Sequence, residues 1–308
     1  MDKSGWDKSD SVVDRFNAFV TWADEMSDAR TKDWFLISSP YLNYSLVVLY
    51  LIIVWKGQQL MESRRPLQLK NLMMFYNFAM VLLNGYMFIE FVAVTAFNPK
   101  FSLGCQAVDY SNDDKAVRLA AVCWWFYFSK LVEFADTFIF MLRKKNNQIS
   151  FLHVYHHATM PMLWWVGVRW VAGGASYFSA TVNCFIHILM YSYYFLSALG
   201  PWIQPFLWWK RYLTSLQLLQ FILVMIHAVA GLFQDCKFPR PFVFALVSYL
   251  ISHIILFSNF YFHTYTKPKK VKGQVKEEGE ESNGVNGDRR NSGRYNLRER
   301  PLTSPKRD

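Results

Sequence analysis

The chain is short of charge where its apolar residues are densest. Charged residues make up 18% and apolar ones 53% of 308 residues, yet mean hydropathy is only +0.07. Polar ends dilute a very hydrophobic middle, the composition of a membrane protein with polar tails. The apolar runs lack period-two alternation and are too long for barrel strands, which argues against a transmembrane β-barrel. The acidic N-terminus lacks an early apolar core, so no cleavable signal peptide is expected. The one Asn-x-Ser/Thr sequon, Asn43-Tyr44-Ser45, falls within the first apolar run and is expected to stay unmodified. Around Lys306 the residues do not complete a dilysine retrieval signal.

Seven apolar runs are present, each near or above the roughly 20 residues that span a bilayer as a helix. They are Leu36 to Trp55, Leu72 to Phe97, Ala116 to Leu142, Ile149 to Ala172, Tyr177 to Leu199, Tyr212 to Phe233 and Phe242 to Tyr265. The reading is an all-α membrane protein with seven transmembrane helices. Lys56, Arg64, Arg65 and Lys70 follow the first run, Arg143, Lys144 and Lys145 the third, and Lys267, Lys269 and Lys270 the seventh, whereas Lys210 and Arg211 precede the sixth. Because basic loops stay cytosolic, the N-terminus is expected to be lumenal and the C-terminus cytosolic. Residues 1–35 then form a lumenal segment, 36–266 the membrane domain and 267–308 a disordered basic cytosolic tail. Two readings of the tail stand: a solvated end, or a basic stretch resting on anionic lipid.

Cysteine is sparse, four in all. Cys123 and Cys184 lie inside apolar runs, while Cys105 and Cys236 fall in loops that charge assigns to the lumenal side. An oxidising lumen permits a disulfide between those two, and a Cys105 to Cys236 bridge is predicted.

Against this apolar background the polar residues stand out. The third run carries Lys130, Glu133, Asp136 and Thr137; the fourth opens with His153, His156 and His157, three of seven histidines, at helical i, i+3, i+4 spacing. The fifth carries Asn183, His187, Tyr191 and Tyr194, and the sixth Thr214, Gln217 and Gln220. Such residues often serve only as interhelical glue, but ionisable groups at membrane depth are costly and point to function. Given the orientation, four helices aim polar groups at one zone in the cytosolic half, His156 lying about 10 Å deep. A cavity open to the cytosol follows. Met160, Met162, Leu163, Trp164, Trp165 and Phe178 lie beyond it and suit a long apolar slot, with an acyl chain as its natural occupant. Arg143, Lys144, Lys145, Lys210 and Arg211 stand above the mouth, either as topology determinants alone or as partners of a polyanionic phosphorylated cofactor.

These boxes resemble those of the ELO family of fatty acid elongases over nearly the whole membrane portion. Lys130-x-x-Glu133-x-x-Asp136-Thr137, His153-x-x-His156-His157, the Asn183 to Tyr194 stretch with His187, and Thr214-x-x-Gln217-x-x-Gln220 match in order. The run from Asn146 to His157, with Gln148, is similar to the polyunsaturated and very-long-chain subgroup. The resemblance implies seven helices, six enclosing an acyl tunnel. It also implies a 3-oxoacyl-CoA synthase of the endoplasmic reticulum membrane, condensing acyl-CoA with malonyl-CoA. Partners implied are a 3-ketoacyl-CoA reductase, a dehydratase, an enoyl reductase and a second copy of the chain; no nucleic acid, cofactor or metal is expected.

Neutral imidazole attacks thioesters, so His156 is the expected nucleophile, forming an acyl-imidazole. His187 is expected to stabilise the malonyl-derived enolate. His153, His157 and Asp136 are expected to set tautomer and orientation, and Glu133 with Lys130 to hold helix geometry. Cys184 is the rival nucleophile. A metal-dependent membrane lipid desaturase or hydroxylase is the main alternative, weakened because four histidines are too few for a diiron site. A non-enzymatic receptor or transporter leaves the histidine box unexplained. His227, His253 and His263 are read as structural or interfacial.

Overall fold

Proline, glycine and short polar caps such as Ser11, Asp113 and Ser150 set several of the helix ends. The computed structural model describes residues 11–234 and 236–266, which are helical without a strand. The helices are α1 (Val12–Glu25), α2 (Pro40–Glu62), α3 (Lys70–Thr95), α4 (Asp114–Val132), α5 (Phe134–Leu142), α6 (Phe151–Trp170), α7 (Ser176–Leu199), α8 (Lys210–Phe233) and α9 (Arg240–Tyr261), the last continuing into a π-turn at Phe262–Thr266. Pro40 opens α2, where its missing N–H is no loss. In the tight α6–α7 turn Gly174 has φ +54°, and a Cβ there would lie 2.9 Å from the Gln106 carbonyl oxygen of the α3–α4 loop. Only glycine permits that approach. The tail expected after residue 266 lies outside the described residues.

Five of these helices are long and apolar enough to cross a membrane: α2, α3, α7, α8, and α9 with its π-turn. The third expected span is divided at Glu133 into α4 and α5, and α6 carries the three histidines and Arg169. Those polar insertions are why the two rods fall outside the set. The first span begins at Pro40 rather than Leu36 and runs on to Glu62. Leu36 itself sits in a turn with φ +66°, and the polar residues after Trp55 continue the helix.

α3 packs along α7, α8 along α9, and α2 and α4 along α6. The largest apolar cluster holds Met87, Phe91, Phe126, Tyr127, Val168 and Cys184, all buried. Asn43 of the sequon is buried in α2 and accepts a 2.9 Å hydrogen bond from Tyr127. Cys105 and Cys236 are bonded, as charge patterning predicted, with Cα atoms 5.6 Å apart. They tie the α3–α4 loop to the α8–α9 loop.

At that same end the chain between α1 and α2 is strapped onto α6. Arg169, buried in the last turn of α6, donates to the carbonyls of Lys32 and Ile37 and to Asp24. Thr31 donates to the Val168 carbonyl at 2.6 Å, and Arg30 bridges Asp28 to the carbonyls of Ala116 and Ala172. The guanidinium thus satisfies backbone oxygens that the chain reversal leaves without helical partners. Arg169→Leu is expected to cost about 2–3 kcal/mol by orphaning those carbonyls, whereas Asp24→Asn, which removes only a partly exposed charge, costs below about 1 kcal/mol; thermal unfolding of detergent-solubilised variants checks the difference.

Candidate active site

The site grows from a tightened turn. Between α4 and α5 the Asp136 N–H bonds the Glu133 carbonyl at 3.1 Å, an i to i+3 contact of 3₁₀ type. Lys130, Glu133, Asp136 and Thr137 are all buried there. The Lys130 ammonium donates to Glu133 Oε1 at 2.7 Å and to Asn183 Oδ1 at 3.0 Å, and lies 4.3 Å from the Phe126 ring centroid. His187 Nδ1 stands 3.1 Å from the same Glu133 oxygen and 3.5 Å from the Lys130 nitrogen. A carboxylate only accepts, so Nδ1 carries the hydrogen facing it. Glu133 is therefore a hub joining the third and fifth expected spans, more central than a helix-holding pair.

Asp136 is held differently. Tyr191 donates to it at 2.7 Å, with Tyr76 packed edge-on against Tyr191. The structure gives this carboxylate to tyrosines of α7 and α3 rather than to a histidine. Thr137 takes the histidine contact instead: its Oγ1 is 2.8 Å from His153 Nε2 and 3.0 Å from the Tyr50 hydroxyl, whose ring stacks on Phe134.

On α6, Ser150 caps the helix through the His153 N–H. The His153 and His157 rings lie 4.2 Å apart, His156 and His157 5.2 Å apart. Pro161 removes the hydrogen bond that would fall on the His157 carbonyl, loosening the helix one turn past the box. His157 Nδ1 is buried without a partner. Glu133, His156 and His157 each offer a ligand atom, all within 4.8 Å of one another.

A cavity opens in front of His156. It is walled by Phe126 of α4, Met160, Leu163 and Trp164 of α6, Asn183 of α7, Gln220 and Val224 of α8, and Leu246, Tyr249 and His253 of α9, and it reaches Gly104 and Cys236 beside the disulfide. Of the residues read as an apolar slot, Met160, Leu163 and Trp164 line it; Met162 instead packs against the cluster of Val47, Tyr50 and Phe134, Trp165 donates to the Leu36 carbonyl, and Phe178 stacks on His227. Gln217 contacts Met190 Sδ, Thr214 is buried, and Tyr194 packs against Tyr191. The basic residues are not brought to the cavity wall. Lys144 donates to the Glu62 carbonyl, Arg211 lies over Tyr212, and Lys145 and Lys210 are exposed, with Arg143 half-buried.

His253, set aside in the sequence, lies in the wall with its ring centroid 5.6 Å from that of His156. Tyr50 and Arg169 also went unread. The available signal for His253 was its setting, a histidine one turn past Tyr249 in an apolar run.

Residues 35–273 match the family model described as ELO: GNS1/SUR4 family. The chain is 51% identical over 269 residues to very long chain fatty acid elongase 4 of Mus musculus, covering 87% of this chain and 86% of that one. It is equally 51% identical over 268 residues to the Homo sapiens elongase 4, covering 87% and 85%. It is 45% identical over 258 residues to very long chain fatty acid elongase 5 of Tachysurus fulvidraco, covering 84% and 85%.

If Glu133 is the hub, Lys130→Met alone strands a buried carboxylate and is expected to cost about 3–5 kcal/mol. Adding Glu133→Gln should restore most of that stability without restoring the His187 contact geometry. Thermal unfolding of the single and double variants measures it.

Proposed function

The chain belongs to the ELO (GNS1/SUR4) family, and from that premise we propose that it is a very-long-chain 3-oxoacyl-CoA synthase. It condenses a long or very-long-chain acyl-CoA, polyunsaturated chains included, with malonyl-CoA, giving 3-oxoacyl-CoA, CO2 and CoA. It does so as a seven-span protein of the endoplasmic reticulum membrane, N-terminus lumenal and C-terminus cytosolic, with six helices around the acyl tunnel. Residues 36–266 are the catalytic membrane domain. The chemistry needs no cofactor, and the product passes to a 3-ketoacyl-CoA reductase, a dehydratase and an enoyl reductase.

One observation carries the reading: His156 stands on the wall of a cavity that is lined mainly by apolar residues beyond Met160 and Trp164, with Ser176, Ser179, His227 and Arg240 its polar members there, while the charged hub of Lys130, Glu133 and His187 lies on the other side of His156. An acyl chain fills the apolar part and puts its thioester carbon at His156. The imidazole lone pair attacks that carbon, the C–S bond breaks, and the proton lost from the imidazole ends on the departing CoA sulfur. Malonyl-CoA then loses CO2, and the enolate carbon attacks the acyl carbon and breaks its bond to the ring nitrogen; the departing imidazole regains its proton from water, the one proton the overall condensation consumes. The Lys130 ammonium of the hub supplies the positive charge the enolate needs, while His187, its Nδ1–H held by Glu133, positions the malonyl group beside it. Exclusion of water by the surrounding helices protects the acyl-imidazole from hydrolysis. Cys184 is buried in the apolar cluster and is not among the cavity-lining residues, which supports the histidine over the thiol.

The metal reading has one observation of its own, the convergence of Glu133, His156 and His157. Those donors fit a divalent ion poorly, because the Lys130 ammonium already sits 2.7 Å from the carboxylate and would repel it. Elemental analysis of active protein is expected to find substoichiometric transition metal and chelation to leave condensation intact.

Incubation with acyl-CoA and no malonyl-CoA is expected to add one acyl mass to the chain, mapped to His156 by fragmentation. His156→Ala should lose the adduct and condensation together, with Cys184→Ala retaining both. An adduct elsewhere overturns the assignment.

A further inference from the structure

The nucleophile proposed above needs a partner for its second ring nitrogen, and neither Asp136 nor Glu133 serves: one is engaged by Tyr191, the other by Lys130 and His187. His253 meets the requirement. It is 1% exposed in the middle of α9. Its Nδ1 lies 3.1 Å from the Tyr249 carbonyl, one turn back on the same helix, and 3.4 Å from Ser252 Oγ, whose own hydrogen goes to that carbonyl at 2.7 Å. A carbonyl accepts only, so Nδ1 carries the hydrogen and Nε2 presents a lone pair. That Nε2 is buried, has no protein partner, and belongs to a ring lining the cavity beside His156. A buried acceptor left open in this way is costly unless something donates to it.

The ring is also firmly held. Tyr249 at 4.1 Å, Tyr155 at 5.4 Å and Phe221 at 5.5 Å surround it. The Tyr155 hydroxyl meets Ser252 Oγ, and Thr159 Oγ1 meets the Tyr249 hydroxyl, each at 3.0 Å, so α9 is registered against the helix that bears His156. The centroids of His156 and His253 stand 5.6 Å apart. A hydrogen bond between two imidazoles needs nearly that separation, and catalytic hydrogen bonds often tighten only when substrate is bound.

We infer that His253 is a positioning residue for the condensation: its Nε2 accepts the N–H of His156, fixing the tautomer that turns the other His156 nitrogen, lone pair outward, toward the thioester. A neutral imidazole here performs the orienting role that a carboxylate performs in hydrolytic triads. In a membrane interior it does so without the cost of another buried charge. The inference rests on the proposed role of His156 as nucleophile.

The test compares His253→Phe, which keeps an aromatic ring and removes the acceptor, with His253→Gln, which keeps an acceptor. Single-turnover acylation by acyl-CoA alone is followed by intact mass, and steady-state condensation by product mass. His253→Phe is expected to slow acylation of His156 about 100-fold, with the loss in kcat and KM for acyl-CoA unchanged, and His253→Gln to recover most of the rate. Wild-type rates in His253→Phe overturn the inference. So does equal impairment of both variants, which makes the ring a packing element. Active wild-type enzyme acylated at a residue other than His156 overturns the underlying reading instead, and that outcome is seen before any His253 variant is made.

Discussion

The ion pair between Lys130 and Glu133, about 1% exposed on both sides, is the constraint around which the rest of the site is organised. Taking two charges out of water costs several kcal/mol per ion, and their attraction offsets this only when the remaining hydrogen-bonding capacity is used. Here it is used by residues of another helix: Asn183 takes a second ammonium hydrogen and His187 a hydrogen bond to the carboxylate. Assembly of the polar boxes is thus a condition for tolerable burial. Helices that failed to bring Asn183 and His187 to Lys130 and Glu133 would leave charge stranded in an apolar interior. Register between the helices and the chemistry of the site have one physical cause.

The same logic operates at the disulfide end, with different materials. There the polar groups needing partners are backbone carbonyls exposed where the chain turns into α2 and out of α6, and the donors are Arg30, Arg169, Trp165 and Trp170. Together with the Cys105–Cys236 bond they fix the floor of the cavity, since Gly104 and Cys236 line it. The slot is pinned at one end by charge and at the other by donors to carbonyls and a covalent bond. The apolar walls between have little directional holding of their own.

Much of this was legible in the residues. Most helix positions followed from apolar run length, and the disulfide from basic-loop alternation, because each depends on local composition; the break of the third run at Glu133 and the polar helix α1 did not, because hydropathy carries no signal for either. The boundary at Leu36 was misread because Leu36 and Ile37 were joined to the apolar run across Ser38, Ser39 and Pro40, where the helix begins. Spacing placed Lys130, Glu133, His156 and His187 together correctly, yet it could not say which carboxylate meets which imidazole. That depends on the tightened turn at Glu133, which rotates Asp136 toward Tyr191 and leaves Thr137 facing His153. The roles of Arg169 and His253 were missed for a related reason: their partners are a backbone turn and a cavity, and the setting of a residue in its own helix does not say which of these it faces.

These features bear on why imidazoles suit the proposed reaction zone. In an apolar chamber a carboxylate or ammonium brings a desolvation cost that must be met by a dedicated partner, as Glu133 and Lys130 show. A neutral imidazole brings a smaller one, that of its two ring nitrogens, while offering one nitrogen as donor and the other as acceptor. Histidines can therefore be added around the reaction zone without a new counter-ion for each: His153 rests on a threonine hydroxyl, His157 on ring contacts, His253 on a helix carbonyl. One ion pair then suffices to orient the field across the zone. The remaining polar work is distributed over groups that stay uncharged, which keeps the zone compatible with the acyl chain proposed to occupy the cavity.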